Sequence, residues 1–476
     1  MFINPTSRES TTAFYPVHLA MFALFIILGS ILSAFAVPSS PGECKPLSSL
    51  SFRFPPAVAS GLSAQIIYNN LTEPRGLRFD GQNNLLVVER LKGISALTFR
   101  NDSTCIGWEK RVVTNKLDLE HGIQVGPMPG KGRTQFLYAS SQESVFRWEY
   151  DPTEAKIIGD PVILVYNMSN PLHVTRTLIF QYGANGVPKY LIVSRGAGAN
   201  LELSSGNVNA GPAQIRRFPL NGPRPAIGFA WHQGELLAWG ARNSAGIAIS
   251  KDGDDLWAVD NGTDELTWRG VDVHLDNPAE ELNRISLKHC SSTPVERKFY
   301  GYPYCHTAWN ASSAPPSTPP FNFKAGDQFS SVSQPGNPDD AWCANPKNNI
   351  RPELSMQAHS APLDIVFYDT SKCSSPLSPF GFPPEWNGDA FVSFHGSWNR
   401  APPTGYKVVR IPWAKNRPRA HPSSVNGYET VVGASNTTQC PTSCIRPVAV
   451  LFDKLGRMFV TSDDSGEVFV VQKSSH

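Results

Sequence analysis

The sequence predicts an all-β fold, a six-bladed β-propeller with long loops between its strands. A unit of strand, polar turn and strand recurs six times along the 476 residues. Glycine and proline, 37 and 41 residues, are scattered through the chain, as in proteins of many short strands joined by turns. Helical 3.6-residue periodicity is nearly absent between the repeats. Six such units can form blades that surround a central channel.

Each repeat accounts for one blade. The clearest pair is PRGLRFDGQNNLLVVER (residues 74–90) and RPVAVLFDKLGRMFVTSDDSGEVFVVQ (residues 446–472), where a proline, an apolar strand, an FD turn and a second apolar strand follow one another. Four looser copies occupy residues 121–150, 177–196, 243–262 and 359–399. Long insertions fall at residues 268–304 and 311–351, and the second, rich in Pro, Ser and Gly, is typical of a loop. A loop over a propeller mouth would shape a substrate site.

Residues 1–36 are predicted to be a signal peptide. The run LAMFALFIILGSIL, residues 19–32, is continuously apolar, and Ala34 and Ala36 after it fit a small-x-small cleavage site. The alternative is a signal anchor, because the apolar stretch approaches the ~20 residues that span a membrane. We expect a secreted, extracellular protein that contacts a membrane only if this segment is uncleaved. An N-terminal extension over residues 37–61 and the propeller over residues 62–476 would follow.

The cysteines and sequons fit a secreted chain. The eight cysteines are Cys44, Cys105, Cys290, Cys305, Cys343, Cys373, Cys440 and Cys444. None forms a CxxC pair or has zinc-finger spacing, so disulfides are expected. Cys440 with Cys444 and Cys44 with Cys105 are candidate pairs, and the other four allow three pairings. Sequons that indicate a glycoprotein begin at Asn70, Asn101, Asn167, Asn261, Asn310 and Asn436.

Charge and motifs exclude several functions. With 17% charged residues and a net charge of +2, the chain is not expected to bind nucleic acid. No G-x-S-x-G or H-E-x-x-H occurs, and Ser397 in HGSWN lacks the second glycine of a nucleophile elbow. RGAGANLE, residues 195–202, lacks the third glycine of a dinucleotide fingerprint. Leu256 at the fifth position of DGDDL breaks EF-hand spacing, which leaves a calcium site of another type open.

Polar residues interrupt the apolar pattern at corresponding points of the repeats. They are Arg75, His121, Arg195, Arg242 with Asn243, His359 and Arg446. Corresponding points of propeller blades converge on the axis at one face. Bringing several arginines and histidines together costs free energy unless an anion lies beside them. The pattern therefore predicts a site for an anionic ligand. The alternative for any single arginine is a turn cap or an ion pair within its own blade.

Four stretches also carry a family resemblance. HSAPLDIVFY, AFVSFHGSWNR, FYGYPYC and RPVAVLFD…GRMFVTSDD resemble motifs of the sorbosone-dehydrogenase-like quinoproteins of the soluble glucose dehydrogenase superfamily, whose fungal members are pyranose dehydrogenases dependent on pyrroloquinoline quinone (PQQ). The resemblance covers residues from about 62 to 472. It implies a propeller that holds PQQ over its channel, with Ca²⁺ bridging cofactor and protein. It also implies oxidation of the anomeric carbon of a pyranose or ketoaldose by hydride transfer to PQQ.

The resemblance implies catalytic roles for two positions. His121 in LEHGIQV matches the general base that takes the proton of the anomeric hydroxyl, and an imidazole suits this role because its unperturbed pKa is near neutral pH. The alternative is a turn histidine without a catalytic role. Arg242 and Asn243 match the pair beside the quinone oxygens, where the guanidinium would stabilise the reduced cofactor.

The resemblance also implies a cofactor clamp and a calcium loop. PQQ carries three carboxylates, which forked arginine donors match in geometry. The clamp candidates are Arg75, His359, His395, Trp398, Arg400 and Arg446. Trp398 would offer a flat wall to cofactor or sugar. Calcium would bind mainly backbone oxygens of Asn261, Gly262 and Thr263, although the more distant glucose dehydrogenases have proline where Thr263 stands. A buried metal loop would leave the Asn261 sequon unglycosylated.

Two alternative functions belong to other classes. A calcium-dependent propeller lactonase would present carboxylates and asparagines to a channel metal, whereas this ring is rich in arginine and histidine. A secreted propeller that only binds glycans or proteins would be expected to have lost His121 or Arg242. For the dehydrogenase, the partners are a small sugar and an external electron acceptor, with a cytochrome-bearing protein or a copper oxygenase as candidates.

Overall fold

The computed structural model describes residues 44–130, 132–288, 290–332, 336–374 and 378–474. Within them, the predicted all-β fold and six-bladed propeller are confirmed by six sheets of four or five strands. The predicted signal peptide, with its cleavage site, lies outside these residues. In the part of the chain described, no helix is both long and apolar enough to cross a bilayer.

Blades 1 to 3 follow one another along the chain, and the four main strands of each run in sequence order from the channel outwards. Blade 1 contains Pro74–Phe79, Leu85–Glu89, Gly93–Asn101 and Ile106–Thr114, with Cys44–Pro46 at its outer edge. Blade 2 contains Leu119–Pro127, Gln135–Ser141, Val145–Asp151 and Lys156–Tyr166, with Phe229–Ala230 added in parallel outside. Blade 3 contains Leu178–Tyr182, Pro188–Arg195, Gln214–Pro219 and Glu235–Trp239.

Blades 4 to 6 complete the ring. Blade 4 contains Ser244–Ile249, Asp255–Asp260, Glu280–Ser286 and Leu354–Met356. Blade 5 contains Pro362–Phe367, Ala390–Phe394, Lys407–Ile411 and Glu429–Ala434, with Pro56–Val58 outside. Blade 6 contains Pro447–Phe452, Met458–Ser462, Glu467–Lys473 and Leu62–Tyr68.

Small elements decorate the loops. Two-stranded ribbons join Thr267–Trp268 to Val271–Asp272, Cys305–Thr307 to Gln328–Ser330, and Trp413–Ala414 to Arg417–Pro418. One short α-helix spans Asp340–Ala344. The 3₁₀ turns are Leu47–Ser49, Leu203–Gly206, Val208–Ala210, Trp231–Gln233, His274–Asp276, Val295–Lys298, Ala311–Ser313, Thr370–Lys372, Pro384–Trp386 and Thr437–Gln439. The insertion at 311–351, predicted as a loop, therefore holds one ribbon strand and the short helix.

The six repeats correspond to the inner strands of the six blades. Inner strands of successive blades contact each other around the ring, and that of blade 6 contacts that of blade 1. The ring is closed by Leu62–Tyr68, which pairs antiparallel with Glu467–Lys473 from the other end of the chain. This pairing joins strands from both ends of the described chain in one blade.

Glycines let neighbouring blades approach at the start of the inner strands. A Cβ on Gly76 would lie 2.2 Å from the carbonyl oxygen of His121, and one on Gly122 would lie 2.1 Å from that of Arg176. The strand register shifts at these points in blades 1 and 2, which marks β-bulges. A bulge changes the direction of a side chain. In Arg75-Gly76 and His121-Gly122, the polar residue lies in the bulge and the glycine lets the backbone of the next blade approach.

Three disulfides form, and two cysteines are free. The predicted pairs Cys44–Cys105 and Cys440–Cys444 are confirmed, and Cys305–Cys343 is the third bond. Cys290 and Cys373 stay reduced, so the expectation of disulfides throughout is wrong for these two. Cys290 lies against Glu235 of blade 3, whereas Cys373 lies in the turn after the inner strand of blade 5.

Candidate active site

A cavity of about 470 Å³ opens at the end of the propeller where the inner strands begin. Neighbouring strands of a blade are antiparallel, so the start of an inner strand and the end of the second strand lie at the same face. The cavity is lined from these points by Leu172, His173, Asn200, Arg242, Asn261, Gly262, Asp264, Glu265, Glu280, His359, Ala361, Gly396, Ser397, Trp398 and Asn399. Blades 3, 4 and 5 supply these residues.

Arg242 is the buried cation of this cavity, with 3% of its surface exposed. Its Nε donates to the carbonyl oxygen of Asn200 at 2.9 Å, and its Nη2 donates to Asn200 Oδ1 at 2.8 Å and to Asp264 Oδ2 at 3.2 Å. Its backbone N–H is held by Asp260 Oδ2 at 2.9 Å. The guanidinium is therefore fixed in position before any ligand binds.

The asparagines beside Arg242 are equally fixed. Asn243 Nδ2 donates to Asn261 Oδ1 at 2.8 Å, and Asn261 Nδ2 donates to the carbonyl oxygen of Pro362 at 2.8 Å. Both polar atoms of the Asn261 side chain are thus bonded within the protein. Non-glycosylation of Asn261 stays a prediction, and these two bonds support it.

The predicted calcium loop lies at the cavity wall beside the carboxyl groups of Glu280 and Asp264. Glu280 accepts the N–H of Gly262 at 2.8 Å and that of Ala361 at 2.9 Å. Burial raises the pKa of Glu280 to about 8, and the nearby Asp264 carboxylate adds to the shift. Thr263 is buried, with its Oγ1 3.5 Å from His306 Nδ1. Carbonyl and carboxylate oxygens are the ligands that Ca²⁺ prefers, so the donor set fits this ion. Within the described ranges, no cluster of three or more His, Cys, Asp or Glu side chains could hold a metal, so a site here needs backbone oxygens.

His173 is a functional candidate that the sequence pattern did not single out. It is half-buried on the cavity wall, and its Nδ1 lies 2.7 Å from the carbonyl oxygen of Ala197. Because a carbonyl can only accept, Nδ1 carries the proton, and in the neutral ring Nε2 is left as an acceptor. Burial and then the charge of Arg242 lower the pKa of His173 to about 3. A signal did exist, since His173 precedes the inner strand of blade 3 much as His359 precedes that of blade 5.

Four predicted residues form a second cluster around Asp463. Arg75 Nη1 lies 2.7 Å from Asp463 Oδ2, and His395 Nε2 lies 2.9 Å from Oδ1. Arg446 Nη2 donates to His395 Nδ1 at 3.0 Å, so Nε2 of that ring must donate to the aspartate. The single negative charge of Asp463 faces the positive charges of Arg75 and Arg446, so this cluster keeps an excess of positive charge. His121 is the fourth residue, and the charge of Arg75 adds to the effect of burial in lowering its pKa.

His121, predicted to be the general base, is buried away from the wall of the cavity. Only 3% of its surface is exposed, and its Nδ1 is a buried atom without a hydrogen-bond partner in the described part of the chain. Burial, followed by the charges of Arg75 and Arg78, lowers its pKa to about 3. His121 lies in the bulge of blade 2, which explains why a polar residue interrupts the apolar pattern there. Its carbonyl oxygen is the atom that Gly76 of blade 1 approaches.

The HGSWNR segment is divided among three environments. His395 belongs to the Asp463 cluster, and residues 396–399 line the cavity. Trp398 is 67% exposed at the cavity mouth. Arg400 turns away, donating to Asp276 Oδ1 at 2.6 Å and to the carbonyl oxygen of Leu275 at 2.9 Å. It holds the 274–276 turn, whose His274 carbonyl contacts His359 Nε2.

The chain is similar to known proteins along most of its length. A family model described as TrAA12-like matches residues 56–474. The chain is 32% identical to a pyrroloquinoline quinone-dependent sugar dehydrogenase of Hypocrea jecorina, over 96% of this chain and 97% of that protein. It is 32% identical to a pyrroloquinoline quinone-dependent pyranose dehydrogenase of Coprinopsis cinerea, over 92% of this chain but only 56% of that protein.

Two solved structures are similar along most of the chain. A calcium structure of a Trichoderma reesei carbohydrate-active enzyme of family AA12 has a TM-score of 0.77 and 33% identity, covering 89% of this chain and 99% of that one. The holo form of the PQQ domain of a Coprinopsis cinerea pyranose dehydrogenase has a TM-score of 0.74 and 31% identity, covering 88% and 97%.

Proposed function

Because the chain belongs to the TrAA12-like family, we propose that it is a PQQ-dependent sugar dehydrogenase that oxidises the anomeric carbon of a pyranose or ketoaldose. Relatives named as sugar and pyranose dehydrogenases support the reaction class. The observation that carries the proposal is the cavity itself, where the preorganised Arg242, the fixed Asn261 and an acceptor imidazole converge. Secretion is part of the proposal, and the three disulfides support it.

The cavity residues fit an anionic planar cofactor. PQQ, when bound, would supply the acceptor for the hydride that leaves the anomeric carbon. Arg242 and Asn243 would bind it beside its quinone oxygens, and His359 would meet a carboxylate from the cavity wall. Arg75 and Arg446 would meet its other carboxylates from the Asp463 cluster. Asn399 supports this fit, because both polar atoms of its side chain are buried on the cavity wall without partners among the described residues. Arg400 would act indirectly, through the 274–276 turn.

The Asn261–Gly262–Thr263 loop would hold Ca²⁺ through its carbonyl oxygens. Asp264 lines the same cavity, and Glu280 accepts the N–H of Gly262. The raised pKa of Glu280 means that this carboxyl is largely protonated at neutral pH without a cation. An adjacent divalent charge would favour its ionised form, because an opposite charge within a few ångströms lowers a carboxyl pKa.

We assign proton removal from the anomeric hydroxyl to the imidazole of His121, as its sequence context implies. Its Nδ1 is a buried atom without a hydrogen-bond partner among the described residues. The ring stays unprotonated at neutral pH, because burial and then the charges of Arg75 and Arg78 lower its pKa to about 3. His173 is the alternative base, because it lines the cavity with its Nδ1–H held by Ala197.

The cavity mouth would receive both sugar and electron acceptor. Trp398 and Leu172, 67% and 51% exposed, form an apolar rim. A flat indole suits a pyranose ring, which has an apolar face of C–H groups. An external acceptor, such as a cytochrome-bearing protein or a copper oxygenase, would take up the electrons at this opening.

The test is reconstitution of the purified protein with PQQ and Ca²⁺, followed by sugar-dependent dye reduction. We expect turnover with aldoses or ketoaldoses only when both additions are present. The proposal is wrong if the protein neither binds PQQ nor reduces dye with any such sugar. Hydrolysis of lactones with Ca²⁺ alone would instead support the lactonase alternative.

Two histidine variants test the base. His121→Gln should retain PQQ while kcat falls by about 10²–10⁴-fold, the range that general base catalysis contributes. His173→Gln should retain most of its turnover. The reverse pattern would assign the base to His173.

A further inference from the structure

We propose that Glu265 is a specificity-determining residue, whose carboxylate at the opening of the cavity selects neutral and cationic sugars over uronic acids. This inference deepens the proposed function and rests on it, because it names the class of pyranose that the dehydrogenase would accept. Glu265 is an exposed residue of the cavity wall, in the segment between the second and third strands of blade 4. Its charge therefore acts on any ligand that enters.

The backbone of Glu265 is fixed by its neighbours. Asn200 of the blade 3 loop accepts the N–H of Asp264 at 2.9 Å and donates to its carbonyl oxygen at 2.7 Å. Leu266 is buried in an apolar cluster, and its carbonyl oxygen accepts the N–H of Val273 at 3.1 Å. Glu265, between these anchors, has a φ of 50°, in the left-handed region that residues other than glycine rarely adopt. Residues that are held in such strained conformations cluster at functional sites.

The other acidic and arginine side chains of the cavity wall have partners in the protein. Arg242 pairs with Asp264 at 3.2 Å, and Glu280 accepts two backbone N–H groups. Within the described residues, no hydrogen bond or ion pair engages the Glu265 carboxylate. Its negative charge is therefore not compensated by this part of the chain, and it remains available to a ligand.

The rest of the opening suits a pyranose ring. The Nδ1–H of His173 is bonded to the carbonyl oxygen of Ala197, so Nε2 is left as an acceptor for a hydroxyl group. The exposed Trp398 offers a flat face to the C–H groups of a sugar. Because the anomeric carbon of a substrate must reach the cofactor, C4 and C6 at the other end of the ring would lie toward the opening. The group at C6 would then be the one that the charge of Glu265 affects most.

Like charges repel, so Glu265 would disfavour a carboxylate at C6. Two unit charges 4 Å apart change an affinity by about five-fold in bulk water and by about a thousand-fold at the effective dielectric constant near a protein surface. An exposed glutamate at a cavity mouth lies between these limits, so we expect discrimination of about 10–100-fold. An ammonium group at C6 would be attracted instead, and an uncharged group would not be affected.

The test compares three derivatives of glucose, and the same three of galactose, on the PQQ- and Ca²⁺-loaded protein. The uronic acid is negative at C6, the uronamide is neutral and of nearly the same shape, and the 6-amino-6-deoxy sugar is positive. We expect kcat/KM for the uronamide to exceed that for the uronic acid by about 10–100-fold, and the amino sugar to be at least as good as the uronamide. Incomplete cofactor loading lowers all these rates equally and leaves their ratios unchanged.

Two variants and a control assign the discrimination to this side chain. Glu265→Gln should reduce the ratio of uronamide to uronic acid to about two-fold or less, and Glu265→Lys should reverse it. Glu154→Gln should keep the wild-type ratio, because Glu154 is exposed in the turn after the third strand of blade 2, at the opposite end of the propeller. In the wild type, the ratio should decrease between about 0.01 M and 1 M salt, because salt screens exposed charges.

A binding measurement separates the inference from the proposed function. Saturation-transfer NMR of the apoprotein reports binding of the same sugars without turnover, and it should show the uronamide and the amino sugar bound in preference to the uronic acid. A protein without PQQ-dependent sugar oxidation would refute the proposed function, and this order of binding would still decide the role of Glu265.

The inference is overturned if the wild type does not discriminate or if none of these sugars binds. It is also overturned if Glu265→Gln keeps the wild-type ratio, or if Glu154→Gln loses as much discrimination as Glu265→Gln.

Discussion

Single residues of this protein acquire their properties from burial and from the charges around them. His121 and His173 both have a pKa lowered to about 3, mainly by burial. Only His173 combines that neutral state with a place on the cavity wall and a fixed Nδ1–H. The same acid–base property therefore has different consequences in the two places.

We predict that the buried histidines make the apoprotein less stable in acid. An unfolded histidine has a pKa near 6.5, so between pH 6.5 and pH 3 the unfolded chain binds protons that the folded chain does not. The contribution of these histidines to the free energy of unfolding is constant above pH 6.5. It decreases as the pH falls below 6.5, by up to about 1.4 kcal/mol per pH unit for each ring. Urea unfolding at several pH values should show a shallower decrease for His121→Gln than for the exposed control His421→Gln. Equal slopes in both variants would contradict the prediction.

We predict that Trp398→Ala raises the KM for sugar about tenfold with a smaller change in kcat. The indole is exposed at the mouth, and the loss of a stacked aromatic wall removes on the order of 1 kcal/mol of binding free energy. Steady-state kinetics with a small sugar measure this change. The control is Val425→Ala, at an exposed residue that is not part of the cavity wall. An unchanged KM would remove Trp398 from the sugar site.

Elements position these residues through bulges and through the turns between strands. Register shifts at the start of the inner strands in blades 1, 2, 4, 5 and 6 put polar side chains out of the regular alternation. The six residues after Phe394 contribute to three different places. His395 contacts the Asp463 cluster, residues 396–399 line the cavity, and Arg400 contacts the 274–276 turn.

We predict that the outer strand Cys44–Pro46 depends on its disulfide. This strand has three residues, and Cys44 is tied to Cys105 across 61 positions of sequence. The double change Cys44→Ser with Cys105→Ser should lower the free energy of unfolding by about 2–4 kcal/mol, as is typical for loss of a disulfide. Chemical denaturation measures it, and Cys373→Ser, at a free cysteine, is the control. The same loss in both proteins would contradict the prediction.

At the scale of the whole molecule, the ring brings distant parts of the chain to one site. Blades 3, 4 and 5 line the cavity, while Arg75 of blade 1 meets Asp463 of blade 6 across the seam. The pairing of Leu62–Tyr68 with Glu467–Lys473 closes that seam. Stability of the ring and geometry of the site therefore depend on the same closure.

We predict that Ca²⁺ raises the unfolding temperature of the apoprotein and that chelation reverses the effect. A ligand that binds only the folded state adds about 2.7 kcal/mol of stability at 100 times its Kd. Asp264→Asn should weaken this response, because it removes a carboxylate beside the proposed calcium loop. Asp118→Asn, an exposed change outside the cavity, should keep it. A response of the same size in both variants would place the ion elsewhere.

Local sequence is enough to predict the fold and the types of side chain at the site. Alternating apolar residues and turn residues encode each blade, so the six repeats could be identified without coordinates. The cysteine pairs Cys44–Cys105 and Cys440–Cys444 were also predictable. Arg242, Asn261, Gly262, His359 and Trp398 were named from the sequence and do lie around one cavity.

Which side chains share a wall, and which bind each other, depends on the tertiary structure. His173 and Asn200 come from loops whose path no local pattern specifies, and Asp463 became the partner of Arg75 only when the two ends of the chain met. Arg400 forms an ion pair with Asp276, which lies more than a hundred residues away in sequence. The physical reason is that strands are encoded by neighbours along the chain, whereas a site at the end of a propeller forms from loops that approach each other only after the ring has closed.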